Sequence, residues 1–185
     1  MDTEEVTIML AAGWDDKLCH GADRYRRCEG TGVLIAKEGK ELKVGIGRIS
    51  REGKQMAILS LVTRLEEALK AADEFAVKGL SCTVADARFA KPLDLAMIRK
   101  LALEHDVLIT VEEGSIGGFG SHVLDYLSNE GLMEQGLKVR TMKLPDVFID
   151  QNSPNEMYEI AGLTAADIVK TALQALSHNN VGSTL

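Results

Sequence analysis

The sequence has no paired-cysteine motif, no surplus of positive charge and no long apolar run, and each absence removes a class of function. Cys19, Cys28 and Cys82 are the three cysteines; they form no CxxC pair and are odd in number. They read as reduced thiols, which excludes a disulfide frame and a zinc knot. Lysines and arginines number 21 against 28 acidic residues, a formal net charge of -7, and they are scattered rather than striped. A chain of that charge has no electrostatic footprint for a polyanion, so nucleic acid is not an expected partner. No run approaches the roughly 18 apolar residues needed to cross a bilayer. The acidic start, Met1 to Glu5, lacks the basic region of a signal peptide and the arginine-rich character of a transit peptide. The expectation is a soluble cytoplasmic chain, or a plastid one if the source is a plant or alga.

What is present is enough apolar residue for one core. Hydrophobic residues make up 45% of 185 positions, which suits one sizeable domain and is too little for two. Residues 1–50 read as an appendage with little apolar periodicity: an amphipathic stretch around Val6 to Trp14, a basic cluster at Arg24, Arg26 and Arg27, and a short strand candidate at Val44 to Ile49 weakened by Gly45 and Gly47. Trp14 reads as a partly buried anchor.

Residues 51–178 alternate strand and helix, the signature of an α/β domain. It should be a three-layer arrangement with a mostly parallel sheet flanked by helices. Strands are expected at Met56 to Leu61, Cys82 to Ala87, Val107 to Val111 and Lys138 to Leu144. Helices are expected at Arg64 to Lys78, where Leu65, Ala68, Leu69, Ala72, Phe75 and Ala76 share a face, at Leu95 to Glu104, and from Ser121 to about Ser128. Ser153-Pro154-Asn155-Glu156 is a capping box with proline at the first helical position, and Thr164 with Asp167 starts a last helix from Ala165 to Leu176. Residues 179–185 form a frayed tail.

Candidate sites gather at strand ends. Gly114 to Gly120, between a strand and a helix, could cradle an anion, although its spacing is not G-x-G-x-x-G; a tight structural turn is the better reading. Glu112 and Glu113 end a parallel strand, where residues of open-sheet active sites collect, but they read rather as a surface or interface pair held by N–H groups at a helix start. His105 and His122 lack a nucleophile at a recognisable spacing, and the helix dipole accounts for His105. Arg88, in a stiff loop beside Phe89, is either a bridge between domains or a solvated arginine.

Over Val84 to Asp94 and Leu108 to His122 the chain is similar, in long strings, to 1-deoxy-D-xylulose-5-phosphate synthases. Leu144-Pro145-Asp146, Phe148-Ile149 and Ala161 to Ala165 continue the match, so the resemblance covers about Gly30 to Leu176. It implies a transketolase C-terminal-like domain over 51–178, helping to build a homodimer and one wall of an active site. Residues 1–50 would then be the remnant of the end of the preceding pyrimidine-binding domain. The resemblance also implies thiamine diphosphate and magnesium in the full-length family, whose reaction joins a two-carbon unit from pyruvate to glyceraldehyde 3-phosphate with loss of CO2, feeding isoprenoid and thiamine biosynthesis.

By the same resemblance Arg27 falls on the arginine that contacts the substrate phosphate, within a family R-Y-P-R-G-E-G segment. Arg26 stands where that segment has proline and Cys28 where it has glycine, while Val62 occupies a turn position where the family has glycine. The parts that hold the cofactor are not in this chain, so no catalytic residue, cofactor or metal is expected to be held by it alone. The expectation is an enzyme part completed by missing synthase domains in trans, with a non-catalytic dimerisation or interaction domain left by truncation as the alternative and a nucleotide-binding module as a third reading.

Overall fold

The computed structural model describes residues 42–177. The chain divides into two compact units, 1–46 and 47–185. Of the first, the described part is a turn in which the Ile46 N–H donates to the Lys43 carbonyl. Trp14, Arg26, Arg27, Cys19 and Cys28, most of the expected appendage, and the 179–185 tail lie outside the described residues.

The second unit is built on five strands: β1 (Arg48–Arg51), β2 (Met56–Ser60), β3 (Cys82–Asp86), β4 (Val107–Val111) and β5 (Lys138–Met142). Their order across the sheet is β1-β3-β2-β4-β5, with β1 antiparallel to β3 and every other pair parallel. β2, β3 and β4 are buried along their whole length, as strands covered on both faces are. The first strand departs from the Val44 to Ile49 expectation and lies further along the chain at Arg48–Arg51, where Arg48 stands opposite Asp86.

Among the described residues, five α-helices cover the sheet: α1 (Leu65–Val77), α2 (Leu95–Glu104), α3 (Phe119–Asn129), α4 (Pro154–Ala161) and α5 (Ala165–Ser177). Alternation along the strands divides the core. Met56, Ile58, Val107, Ile109 and Val111 pack with Ala68, Ala72 and Phe75 of α1 and Ile168 and Ala172 of α5. Ala57, Leu59, Ala85 and Leu108 pack with Ile98 and Leu101 of α2 and Val123 and Leu127 of α3. The result is the expected three-layer α/β architecture with a mostly parallel sheet.

The Thr164/Asp167 capping box forms in full and the Ser153 box in part, since the Ser153 N–H donates to Asn152 Oδ1 and the Glu156 carboxylate accepts from the Ser153 hydroxyl instead. Ser153 accepts from the Glu156 N–H, and Thr164 accepts from the Asp167 N–H while its own N–H donates to the Asp167 carboxylate. Gly162 ends α4 in the left-handed region, φ 68°.

Strand order fixes where a site can lie. From β2 the chain moves outward to β3, then crosses back past β2 to β4 and on to β5. The order therefore reverses between β2 and β4, and the carboxyl ends of those two strands flank the crevice where open sheets place their ligands.

Candidate functional site

At that crevice the chain leaves β2 through Leu61 and a short 3-10 turn, Val62–Arg64. Val62 enters it at φ 60°, in the left-handed region that a β-branched residue avoids. The turn delivers Arg64 across the end of β4. Its Nε lies 3.1 Å from the Glu113 carboxylate, with both side chains nearly buried, and its guanidinium stacks 3.6 Å from the centroid of the Tyr158 ring on α4. One cation thus ties the β2 turn, the end of β4 and α4 together.

The next carboxylate is equally committed. Glu112 is 3% exposed, so it is buried where a surface or interface residue was expected, but it is held by N–H groups at a helix start, as expected. Its two oxygens accept from the Phe119 N–H at 3.0 Å and the Gly120 N–H at 2.7 Å. The carboxylate supplies in cis the anion that a helix N-terminus attracts. This is why α3 starts at Phe119, two residues before the expected Ser121. Gly114 and Gly118 fold directly over the same carboxylate, and a Cβ at either position would collide with Glu112 Oε2. The Gly117 N–H donates to Ser121 Oγ and the Gly118 N–H to the Ser115 carbonyl. The glycine loop is a sleeve around an internal carboxylate, and its N–H groups from Gly117 to Gly120 have no capacity left for a phosphate. That takes the helix-start N–H groups, on which the nucleotide-binding reading leaned, out of use for an anion.

The end of β3 repeats the pattern. Asp86, 2% exposed, accepts from Arg48 Nε at 3.1 Å and from the Arg88 N–H at 3.0 Å, which holds Arg88 at φ 57°. Further out, Glu67 of α1 accepts the Ala165 N–H at the start of α5 at 2.8 Å and pairs with Lys70 at 2.9 Å. Burial alone would raise the Glu67 pKa, but the Lys70 and Ala165 hydrogen bonds, with the charges of Lys70 and Arg64, outweigh it and hold the carboxyl below its ordinary value.

The remaining sequence candidates lie elsewhere or are structural. His105 is buried at the opposite edge of the sheet, where Nδ1 donates to the Leu101 carbonyl at 3.0 Å and Nε2 meets Thr83 Oγ1 at 2.7 Å. The first bond is to a last-turn carbonyl of α2, in keeping with a histidine at a helix end, and the second ties the ring to β3. His122 sits in α3 past the glycine loop. Cys82 is enclosed in the core, and burial pushes its thiol pKa up to about 12, far from nucleophilic reactivity. Arg64 and Tyr158 escaped the sequence reading because the partners that give them meaning are distant in the chain.

Thiamine diphosphate with a divalent metal would need free cations or N–H groups for its diphosphate and a carboxylate cluster for its metal. Among the described residues no group of three or more His, Cys, Asp or Glu could hold a metal ion. Arg64 and Arg48 are paired with carboxylates, and the α3 start is filled by Glu112. The described residues do not fit the cofactor. At the ends of β2 and β4, Arg64 is paired with Glu113, and Glu112 with the N–H groups that start α3. No described helix is long and apolar enough to cross a membrane.

Comparison with known proteins agrees with this geometry. Residues 45–168 match the family model described as transketolase, C-terminal domain. A solved structure described as a split gene transketolase, inactive beta4 tetramer, is 32% identical with a TM-score of 0.67, over 74% of this chain and 44% of that one. A transketolase from Campylobacter jejuni subsp. jejuni NCTC 11168 shares the fold at 14% identity and a TM-score of 0.51, over 69% of this chain and 18% of that one. The chain therefore spans less than half the length of either.

Proposed function

This chain belongs to the transketolase C-terminal domain family, whose enzymes depend on thiamine diphosphate, and on that premise we propose that it is the third-domain part of a 1-deoxy-D-xylulose-5-phosphate synthase completed in trans. In that role it supplies subunit contacts and one wall of a substrate site whose cofactor is held by another chain. The observation that carries the reading is the compensated crevice: every described charge at the ends of β2 and β4 is satisfied internally, by Arg64 with Glu113 and by Glu112 with the α3 N–H groups. Such an edge can face a reaction without competing for its ions, but it cannot run one.

The synthase assignment rests on the strings Val84 to Asp94 and Leu108 to His122. Completion in trans is supported by the likeness to the structure described as a split gene transketolase. Arg27 belongs to the same proposal as the phosphate-contacting residue, and the bound cofactor would supply the decarboxylation chemistry from the partner.

The test is to mix the full chain with the amino-terminal cofactor- and pyrimidine-binding domains of a deoxyxylulose-phosphate synthase, add thiamine diphosphate, magnesium, pyruvate and glyceraldehyde 3-phosphate, and assay product. The chain alone should be inert and the mixture active, with Arg27→Ala raising the KM for the aldehyde. An inert mixture would favour a non-catalytic interaction domain.

A further inference from the structure

The buried polar cluster around His105 is one hydrogen short whenever the imidazole is neutral. Thr83 Oγ1, near the start of β3, lies 2.9 Å from the Gly53 nitrogen, 3.0 Å from the Gly53 carbonyl oxygen and 2.7 Å from His105 Nε2. His105 Nδ1 lies 3.0 Å from the Leu101 carbonyl oxygen. A carbonyl only accepts, so Nδ1 carries a hydrogen and Nε2 of the neutral ring is bare. The Thr83 hydroxyl then faces two acceptors, Nε2 and the Gly53 oxygen, with a single hydrogen to give. Whichever it serves, the other approach sets lone pair against lone pair. An imidazolium removes the conflict: Nε2–H donates to Oγ1, the hydroxyl donates to the Gly53 carbonyl, and the Gly53 N–H still donates to Oγ1.

The backbone around the cluster makes that choice matter. Gly53, in the connection between β1 and β2, lies so close to β3 that an added Cβ would collide with the backbone of Cys82. Only this approach brings both its N–H and its carbonyl to one hydroxyl. His105 and Thr83 are 8% and 4% exposed, so water is a poor replacement for a missing partner. Protons still have a way in, because His105 and Thr83 border a cavity of about 240 Å³. Glu52 and Lys54 line it from the β1–β2 connection, and Lys100 and Glu104, 3.9 Å apart, line it from α2. Asp106, between the ring and β4, is exposed. On β3 the neighbour of Thr83 is Cys82, which stays a neutral thiol because burial pushes its pKa up to about 12. Charges of both signs therefore stand around the ring, and its direct side-chain partner is the Thr83 hydroxyl.

We propose that His105, Thr83 and Gly53 form a proton-sensitive clasp joining α2, β3 and the β1–β2 connection, in which protonation of Nε2 turns the Thr83 hydrogen from the ring to the Gly53 carbonyl. One proton enters the ring, and one hydroxyl hydrogen changes its acceptor. The neutral clasp holds Gly53 by its N–H alone; the protonated clasp holds it by N–H and carbonyl together.

The experiment is an NMR titration of the isotope-labelled full chain from about pH 5 to pH 9, read at both ring nitrogens of His105 and at the Gly53 carbonyl carbon. Expected are a ring protonated at Nδ1 alone at the alkaline end, protonation of Nε2 on acidification, and a Gly53 carbonyl shift that shares the ring's midpoint. In Thr83→Val, which keeps the shape and removes the hydroxyl, the ring should still titrate while the Gly53 carbonyl ceases to follow it. Glu52→Gln should leave the coupling in place, and its loss there would trace the Gly53 shift to the adjoining carboxylate and overturn the clasp. A Gly53 carbonyl that ignores the ring in wild type, or follows it unchanged in Thr83→Val, overturns it as well. So does a neutral ring protonated at Nε2, or a ring that keeps one protonation state over the whole range. The wild-type titration decides alone if Thr83→Val does not fold.

Discussion

The Arg64 guanidinium lies 3.6 Å from the centroid of the Tyr158 ring while its Nε stands 3.1 Å from the Glu113 carboxylate. A cation between an aromatic face and a carboxylate is desolvated from two sides, and each partner makes the other's contact stronger. This three-residue stack fastens α4, where Ala161 is the one buried residue, to the crevice.

Replacing Arg64 with methionine keeps most of its volume and removes the charge. It leaves Glu113 without the guanidinium in a nearly buried setting and should cost roughly 2 to 3 kcal/mol. Tyr158→Leu should cost about 1 to 2 kcal/mol. In a double-mutant cycle followed by urea unfolding, the pair should show a coupling of roughly 1 kcal/mol. Strictly additive losses would mean that the ring supports packing and takes no part in holding the cation.

Val62 is the second prediction. At φ 60° its branched Cβ opposes the backbone, a strain of about 1 to 2 kcal/mol. Glycine relieves that strain but gives the unfolded chain more freedom, an opposing effect of up to about 1 kcal/mol. Val62→Gly should therefore be neutral to stabilising by roughly 1 kcal/mol, while Val62→Ala should gain less than Val62→Gly. The denaturant midpoint decides it. A clear destabilisation by glycine would show that contacts of the valine side chain outweigh the strain.

Glu112 offers the third. Glu112→Ala would strip the Phe119 and Gly120 N–H groups of their acceptor in a buried place, and should cost about 2 to 4 kcal/mol and loosen the first turn of α3 in hydrogen exchange. Gly114→Ala should reach a similar end by another route, since the added methyl displaces the carboxylate without removing it. If Gly114→Ala leaves the exchange of Phe119 and Gly120 slow, the sleeve is not what holds the cap.

These three sites show how far the letters carry. Short, mainly apolar segments bounded by turns were enough to find β2, β3 and β4, although each also buries a polar residue: Ser60, Thr83 with Asp86, and Thr110. Ser153 and Thr164 announced their helices because a local cap is written within four residues. The start of α3 was misread because its cap comes from Glu112, seven residues before Phe119, and the N-cap itself is Gly118, which carries no side-chain signal. β1 was displaced because an edge strand with an intermediate and exposed pattern is chosen by its partner, here Arg48 against Asp86. Val62 could be suspected from its family position, whereas the stack of Arg64 on Tyr158 depends on the crossover that brings α4 to the end of β2, and no local pattern encodes it.

Glu67 should contribute to the chain's loss of stability in acid. Its carboxyl is held below the ordinary value of 4.5, because the hydrogen bonds from Lys70 and Ala165 and the charges of Lys70 and Arg64 overcome the upward push of burial. A carboxylate with a lowered folded pKa binds fewer protons folded than unfolded, so its stabilisation is complete above the unfolded value and is lost as pH falls through the folded one. Wild type should therefore lose stability below about pH 4.5 more steeply than Glu67→Gln. At neutral pH the glutamine variant should be less stable by roughly 1 kcal/mol, since it keeps an acceptor for the Ala165 N–H but not the ion pair with Lys70. Urea midpoints measured from pH 3 to pH 7 on both proteins read this directly. The curves should converge toward the acid end, and parallel curves across the range would show that Glu67 binds its protons equally in both states.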